Sequence, residues 1–331
     1  MKKVYFVEKS VPFDCSDINQ SFISGSEKTL INISNELGNF KNLIVKVFNN
    51  TSAFKKINNV EWTNINNILP DDTPDVLISM SDVNLLSLFN CKKNYLWSHS
   101  IQPIEKFIRK KQLFSFLKYK PKMILEGDYH FRKRSFFTSL FGKRILPLAV
   151  DYEFINFRVN ENFIPSKNAI FTSRSDRNLD FLLNCWIKIS SKTFNSNLYI
   201  NPPYNLTNEQ IKLGIELRTK GDKSKLINEL SSIRVMLNPG HKGEVYCLAA
   251  EEARELCVPI VTMGIGSLSE RVEHGVTGYI AKNSSEFINY TIKILNDDNC
   301  YLKLKKNLMK RRNIRSYKNV AIDFLDIINE D

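Results

Sequence analysis

The chain has 331 residues, of which 43% are hydrophobic and 25% charged, with a formal net charge of +12. That length accommodates two domains of ordinary size, and that balance is globular rather than disordered. No apolar stretch reaches the length needed to cross a bilayer, and the six cysteines and four histidines show no C-x-x-C pair or metal-ligand spacing. Free thiols in a reducing cytosol are therefore expected, and the first residues read as a strand rather than a secretory signal.

In chain order, residues 3–7 alternate as a strand and are followed by a loop over 8–24. Ser24 and Glu27 have the spacing of a capping box, and Leu30, Ile33 and Leu37 mark the helix it starts. Gly25 permits close backbone approach at the mouth of that helix. Residues 43–48 and 75–79 read as strands. A further strand over 94–97 runs into Trp97-Ser98-His99-Ser100. His99 thus falls at the C-terminal end of a strand, where open α/β sheets place ligands, although a lone histidine is as readily structural.

Between residues 106 and 144, twelve Lys or Arg face only two acids, Glu126 and Asp128. Phe107, Phe114, Phe116, Phe136, Phe137 and Phe141 are interleaved with them. A basic, aromatic surface suits an anionic membrane, and a solvated face over core residues accounts for it equally well. No nucleic-acid-binding module accompanies the charge, so no nucleic acid is expected as a partner. Residues 144–150 read as the last strand of a first domain and 151–166 as a linker.

The second half opens with a strand over 168–172 that runs into Ser173-Arg174-Ser175-Asp176-Arg177-Asn178. Two arginines three apart at a strand-to-helix turn can converge on a phosphate, since the guanidinium fork binds it bidentately; an exposed turn is the plainer alternative. A strand over 197–200, helices over 209–219 and 224–230, and a strand over 234–237 follow. Gly240 and Gly243 then bracket the loop before Glu244. Glu244 precedes a helix whose free N–H groups and dipole attract an anion. Leu248, Glu252 and Leu256 are four apart on that helix, which predicts a core-facing stripe with Glu252 as its buried carboxylate. Beyond it come strands over 258–261 and to residue 281, helices over 285–295 and from 301, and an amphipathic end over 320–328. Alternating strands and helices in both halves predict an α/β protein with two doubly wound parallel sheets.

The order of Glu244, Glu252-Ala253, Val258-Pro259-Ile260-Val261, Gly266-Ser267-Leu268-Ser269-Glu270-Arg271 and His274-Gly275-Val276-Thr277-Gly278 resembles retaining glycosyltransferases of family 4. The two glutamates reproduce the E-x7-E spacing of that family. The resemblance implies the GT-B fold, two Rossmann-like domains facing each other across a cleft. It implies an N-terminal acceptor-side domain over 1–155, a donor domain over 156–314, and a C-terminal helix over about 315–331 that returns to the first domain. A nucleotide-diphosphate sugar would be the donor.

On that resemblance Glu252 would take the ribose hydroxyls and Glu244 those of the sugar. Arg174, Arg177 and the backbone around Val245, Tyr246, Cys247 and Leu248 would hold the diphosphate. Gly25 and His99 would face the donor from the first domain, with His99, Glu244 and Arg174 closest to the chemistry. No cofactor and no metal are implied, in keeping with the lack of an Asp-x-Asp triplet. Asn178, Cys257 and the segment Val245-Tyr246-Cys247 stand where the family usually has glycine, and Tyr246 either shapes the sugar pocket or packs. The implied product is a glycan or lipid-linked acceptor extended in cell-surface polysaccharide or lipopolysaccharide synthesis. It would be made in the cytoplasm, with the first domain on the membrane through residues 106–144. A GT-B nucleotide-sugar epimerase and a catalytically silent sugar-nucleotide-binding subunit remain alternatives.

Overall fold

The computed structural model describes every residue except 19, 21, 22, 70, 220 and 331. The chain divides into two compact units, Met1–Leu148 with Tyr317–Asp331, and Ala149–Ser316.

The first unit is built on β1 (Lys2–Val7), β2 (Leu43–Asn49), β3 (Lys55–Ile57), β4 (Val60–Asn64), β5 (Val76–Met80), β6 (Lys93–Trp97), β7 (Lys122–Leu125) and β8 (Lys143–Ile145). They form one sheet in the order β3-β4-β2-β1-β5-β6-β7-β8. Every neighbouring pair is parallel except β3 with β4. The middle strands are buried on both faces, β1 from Val4 to Val7 and β5 along its whole length, because helices cover both sides. On one face Tyr5, Leu77, Leu96 and Met123 meet Phe107 and Phe116. On the other, helices Gly25–Gly38 and Tyr317–Glu330 lie together, and Phe324 packs 5.8 Å from Phe6 and 6.1 Å from Trp97, ring centre to ring centre. Helix Gly25–Gly38 begins at the expected capping box, where Glu27 Oε2 accepts the Ser24 N–H at 3.1 Å. The strand read over 144–150 stops at Ile145, since Pro147 has no N–H for a ladder.

The second unit contains β9 (Ala169–Phe171), β10 (Leu198–Ile200), β11 (Ile215–Leu217), β12 (Val235–Leu237), β13 (Ile260–Thr262) and β14 (Gly278–Ile280), all parallel, in the order β11-β10-β9-β12-β13-β14. Counted from β9 this is the 3-2-1-4-5-6 order of the dinucleotide-binding fold, whose direction reverses between β9 and β12. Phe171, Leu198, Leu237 and Val261 pack under helices Leu179–Ser190 and Ser284–Asn296. Ile170, Met236 and Ile260 pack on the other face with Ala250, Ala253 and Leu268.

Two expectations are corrected here. The helix read over 209–219 is a short helix, Asn208–Lys212, followed by β11. Gly214 between them has φ of 74° and would place a Cβ 2.8 Å from the Ser196 carbonyl oxygen, so the chain turns sharply there. The segment read as a linker over 151–166 begins with helix Tyr152–Asn156, whose Phe154 is buried in the second unit's core. Among the described residues no helix is long and apolar enough to cross a membrane.

Candidate functional site

The reversal point between β9 and β12 brings two loops together. Asn238, just after β12, donates from Nδ2 to Ser173 Oγ, just after β9, at 3.1 Å. Asn238 Oδ1 in turn accepts the Gly240 N–H at 3.1 Å. Gly240 has φ of 91°, and a Cβ there would meet the Ile265 carbonyl oxygen at 2.4 Å, so only glycine lets these loops close. The loop sets Glu244 in place by its backbone: its N–H donates to the His241 carbonyl at 2.9 Å and its carbonyl accepts the Ser267 N–H at 3.0 Å.

The Glu244 side chain is held far less completely. Oε1 accepts from Ser173 Oγ at 3.4 Å, while Oε2 is buried with no hydrogen-bond partner among the described residues. Burial raises its pKa above the usual carboxylate range, and the nearby Arg177 guanidinium opposes that rise without cancelling it. A buried acceptor with an open lone pair is what a polyhydroxylated ligand would complete.

Arg177 is pinned beside it. Its Nη1 lies 2.6 Å from Nδ1 of His241, and the same nitrogen accepts the Gly243 N–H at 3.0 Å. Two donors on Nδ1 place the imidazole proton on Nε2. Gly243 makes room for this, since a Cβ would lie 2.9 Å from Arg177 Nη1. Arg174 is exposed and hydrogen-bonds Asp176 through Nε at 3.0 Å. The turn therefore carries one fixed arginine and one outward-facing arginine.

The helix after Glu244 runs from Leu248 to Glu255. The N–H groups of Ala250 and Glu251 go to the Cys247 carbonyl, and those of Leu248 and Ala249 have no intrahelical acceptor. Of the expected core-facing stripe only Leu256 is in the core. Ala250 and Ala253 face the core, and the fully buried carboxylates are Glu251 and Glu255, 3% and 1% exposed, whereas Leu248 and Glu252 are half-buried. Both buried acids are neutralised. Glu251 Oε1 lies 3.0 Å from Arg271 Nε, which also donates to the Tyr246 carbonyl at 2.9 Å with its guanidinium 4.1 Å from the Tyr246 ring centre. Glu255 pairs with Arg312 at 3.3 Å and accepts the Asn313 N–H at 2.6 Å. Tyr246 is thus buried and clamped by Arg271.

The substituted glycine positions keep a glycine-like backbone. Asn178, Cys247 and Cys257 have φ of 61°, 63° and 59°. Cys257 ends the helix in a Schellman motif: its N–H donates to Arg254 at 3.0 Å, and the Val258 N–H donates to Ala253 at 2.9 Å.

Gly25 and His99 belong to the first unit, after the C-terminal ends of β1 and β6. Gly25 is exposed at the first turn of its helix. His99 stacks on Trp97 with ring centres 5.5 Å apart, and Trp97 also stacks on Phe324. Nδ1 of His99 hydrogen-bonds the buried carboxylate of Glu126, which follows β7. The Glu126 N–H donates to His130 Nδ1 at 3.3 Å, and His130 Nε2 donates to the Ser100 carbonyl at 3.2 Å. Burial lowers the pKa of His130, which favours this neutral form. Nε2 of His99 is buried and unpartnered among the described residues.

The expected residues Arg174, Arg177, Glu244, Val245, Tyr246, Cys247, Leu248 and Glu252 thus sit on two loops and one helix of the second unit. Ser173 and Arg271, which lie inside the sequence motifs with no role assigned to them there, and Asn238, His241 and Glu126, which lie in none, complete these arrangements. Among the described residues no three His, Cys, Asp or Glu side chains are grouped to hold a metal.

The family model for glycosyl transferases group 1 matches residues 204–311, a segment that includes Glu244 and the helix after it. No curated protein matches the chain. Among solved structures, WaaG, a glycosyltransferase involved in lipopolysaccharide biosynthesis, is 12% identical, covers 99% of this chain and 100% of its own, and has a TM-score of 0.69. HepE of Anabaena, in complex with UDP and glucose, is 12% identical over 100% of both chains, with a TM-score of 0.70. Sucrose-phosphate synthase of Thermosynechococcus elongatus is 10% identical over 100% of this chain and 99% of its own, with a TM-score of 0.71. At such identities the likeness is one of fold. The protein has the GT-B fold of these glycosyltransferases, and its residues 204–311 are similar to the glycosyl transferases group 1 family.

Proposed function

We propose that this protein is a retaining, metal-independent hexosyltransferase of family 4 type. It moves a sugar from a nucleotide-diphosphate sugar to a glycan or lipid-linked acceptor in cell-surface polysaccharide synthesis, at the cytoplasmic side of the membrane. The observation that carries this reading is Glu244, a half-buried carboxylate with one buried, unsatisfied oxygen, beside Arg177 and one loop before a helix N-terminus.

As the donor's glycosidic bond breaks, negative charge grows on the leaving diphosphate. Groups that already point at it lower the barrier most, because nothing reorganises during the reaction. Arg177 is such a group, held in advance by His241. Arg174 can swing from Asp176 to the same charge, and the N–H groups of Leu248 and Ala249 face the helix mouth. These donors meet the charge without an ion. Glu244 Oε2 accepts from the transferred sugar, half-buried Glu252 accepts from the ribose, and His99 Nε2 meets a sugar or acceptor hydroxyl.

UDP and glucose bound to HepE make UDP-glucose the first donor to test, and the role printed for WaaG makes a lipopolysaccharide intermediate a reasonable first acceptor. A thermal-shift screen of UDP-, GDP-, ADP- and dTDP-sugars should give a shift with one nucleotide class that Arg177→Ala and Glu252→Ala abolish. NMR of the product should then show the donor's anomeric configuration, with turnover unchanged by EDTA. An inverted product, or a new nucleotide sugar formed without acceptor, would replace this reading with an inverting transferase or an epimerase.

A further inference from the structure

The strongest surface feature that the transfer reaction leaves unused lies on the first unit. Three segments, helix Ile104–Arg109, helix Leu113–Tyr119 and the turn over 136–141, are tied together beneath by one aromatic cluster. The Phe116 ring centre lies 5.3 Å from Phe107, 4.8 Å from Phe137 and 5.2 Å from Phe141. Several other apolar side chains of these segments are exposed. Phe114 is 76% exposed and Phe136 81%, and Ile108, Leu117 and Leu140 are exposed as well. Phe114 and Leu117, three apart on a helix, share one face.

The charge around these apolar tips is predominantly positive, with Glu105 and Asp128 the exposed acids over 104–144. Arg109, Lys110, Lys111, Lys118 and Lys133 are exposed, and among the described residues none of them has a carboxylate partner. Of the two acids between 106 and 144, Glu126 is buried against His99. Large exposed aromatics ringed by unpaired cations are poorly explained as a solvated face, because water gains nothing from the phenyl rings. An anionic bilayer satisfies both at once: the rings enter the acyl boundary while the ammonium and guanidinium groups stay among the phosphates.

We infer that this face docks the first unit on an anionic lipid bilayer, with Phe114 and Phe136 as the inserted anchors and Arg109, Lys110 and Lys111 as the headgroup contacts. A bare polyanion would use the cations and leave the rings unburied. A second copy of the chain would bring the same positive charge against itself. The lipid surface is the occupant that matches both halves of the patch.

The test is co-sedimentation with vesicles of phosphatidylglycerol and phosphatidylcholine, against vesicles of phosphatidylcholine alone. The wild type should partition to the anionic vesicles about tenfold or more in excess, and added salt should weaken that binding. Phe114→Asp with Phe136→Asp, and separately Lys110→Glu with Lys111→Glu, should each reduce it by about tenfold. All four side chains are exposed, and an unchanged melting curve with an unchanged response to UDP-glucose shows that each variant is folded. Equal binding to both vesicle types, or full binding by the phenylalanine variant, would overturn the inference. So would a wild-type dimer that the phenylalanine variant splits. Vesicle binding by a protein that ignores every nucleotide sugar would sink the transferase reading and leave this one standing.

Discussion

Nδ1 of His99 is hydrogen-bonded to the carboxylate of Glu126, both largely buried, and this bond leaves Nε2 as the one ring nitrogen available to a ligand. A carboxylate on Nδ1 keeps the proton on that nitrogen and a lone pair on Nε2. Glutamine can turn its amide and donate instead, which would move the proton to Nε2. Glu126→Gln should therefore lower transfer about tenfold, equivalent to about 1.4 kcal/mol, with little change in donor affinity. Nitrogen shifts of the His99 ring would show the tautomer exchanged. An unchanged rate with an exchanged tautomer would remove His99 from the reaction.

Glu244 presents the opposite balance between stability and use. Its pKa is raised in the folded protein by burial, so the folded state binds the proton more tightly than the unfolded chain does. The sign follows: the protein is penalised as pH rises from the ordinary glutamate range through the raised value, and the penalty is full above it. Glu244→Gln should stabilise the ligand-free protein by about 1 kcal/mol at neutral pH, while abolishing most transfer. The two melting temperatures should converge as the solution is acidified toward the ordinary range. A gap that widens on acidification would contradict the sign.

Arg177 and His241 form a unit. Arg177→Lys keeps the charge but cannot both reach His241 Nδ1 and present a second parallel N–H to a phosphate. Donor affinity, read by calorimetry with UDP-glucose, should fall about tenfold, roughly 1.4 kcal/mol. His241→Leu should produce a loss of similar size with every charge of the arginine turn intact. Arg174→Lys should cost much less, because Arg174 is exposed and held only by Asp176. Equal losses at 174 and 177 would mean that neither is prearranged.

Cys257 offers a test of the backbone alone. It is buried, with φ of 59° at the position after the helix cap where the Schellman motif favours glycine. A Cβ in that region is disfavoured by about 1 kcal/mol relative to glycine. Cys257→Ala removes the sulfur and keeps the strain, whereas Cys257→Gly removes both. Urea unfolding should therefore rank Gly above Ala by about 0.5–1 kcal/mol, reversing the usual order for a buried side chain. Alanine ranking above glycine would show that the strain is absorbed elsewhere.

How far the sequence reveals this structure depends on the range of each interaction. The strands at the centre of both sheets are legible because runs such as Val76–Met80 are apolar but for a single serine, Ser79. β3 escapes notice because Lys55 and Lys56 interrupt its pattern at the sheet edge, and β11 because three residues cannot separate a period of two from one of 3.6. Glu244 stands out through its spacing from Glu252. The burial of Glu251 and Glu255 does not, because a helix of eight residues whose core face is two alanines lacks large side chains that would fix its phase. The parts played by Ser173, Asn238 and His241 depend on β9 lying beside β12, a contact between residues far apart in the chain that no local pattern encodes.

Helix Tyr317–Glu330 has a consequence for the order in which the protein takes shape. Phe324 closes the face of the first sheet over Phe6 and backs Trp97, the ring on which His99 lies, yet it is made after the whole second unit. Domains usually fold as they leave the ribosome, first made first folded. Here the earlier unit must hold an apolar sheet face open to water while the later one is completed. The newborn chain is then most exposed to aggregation and chaperone capture through the first unit, and helix Tyr317–Glu330 acts as its closing seal.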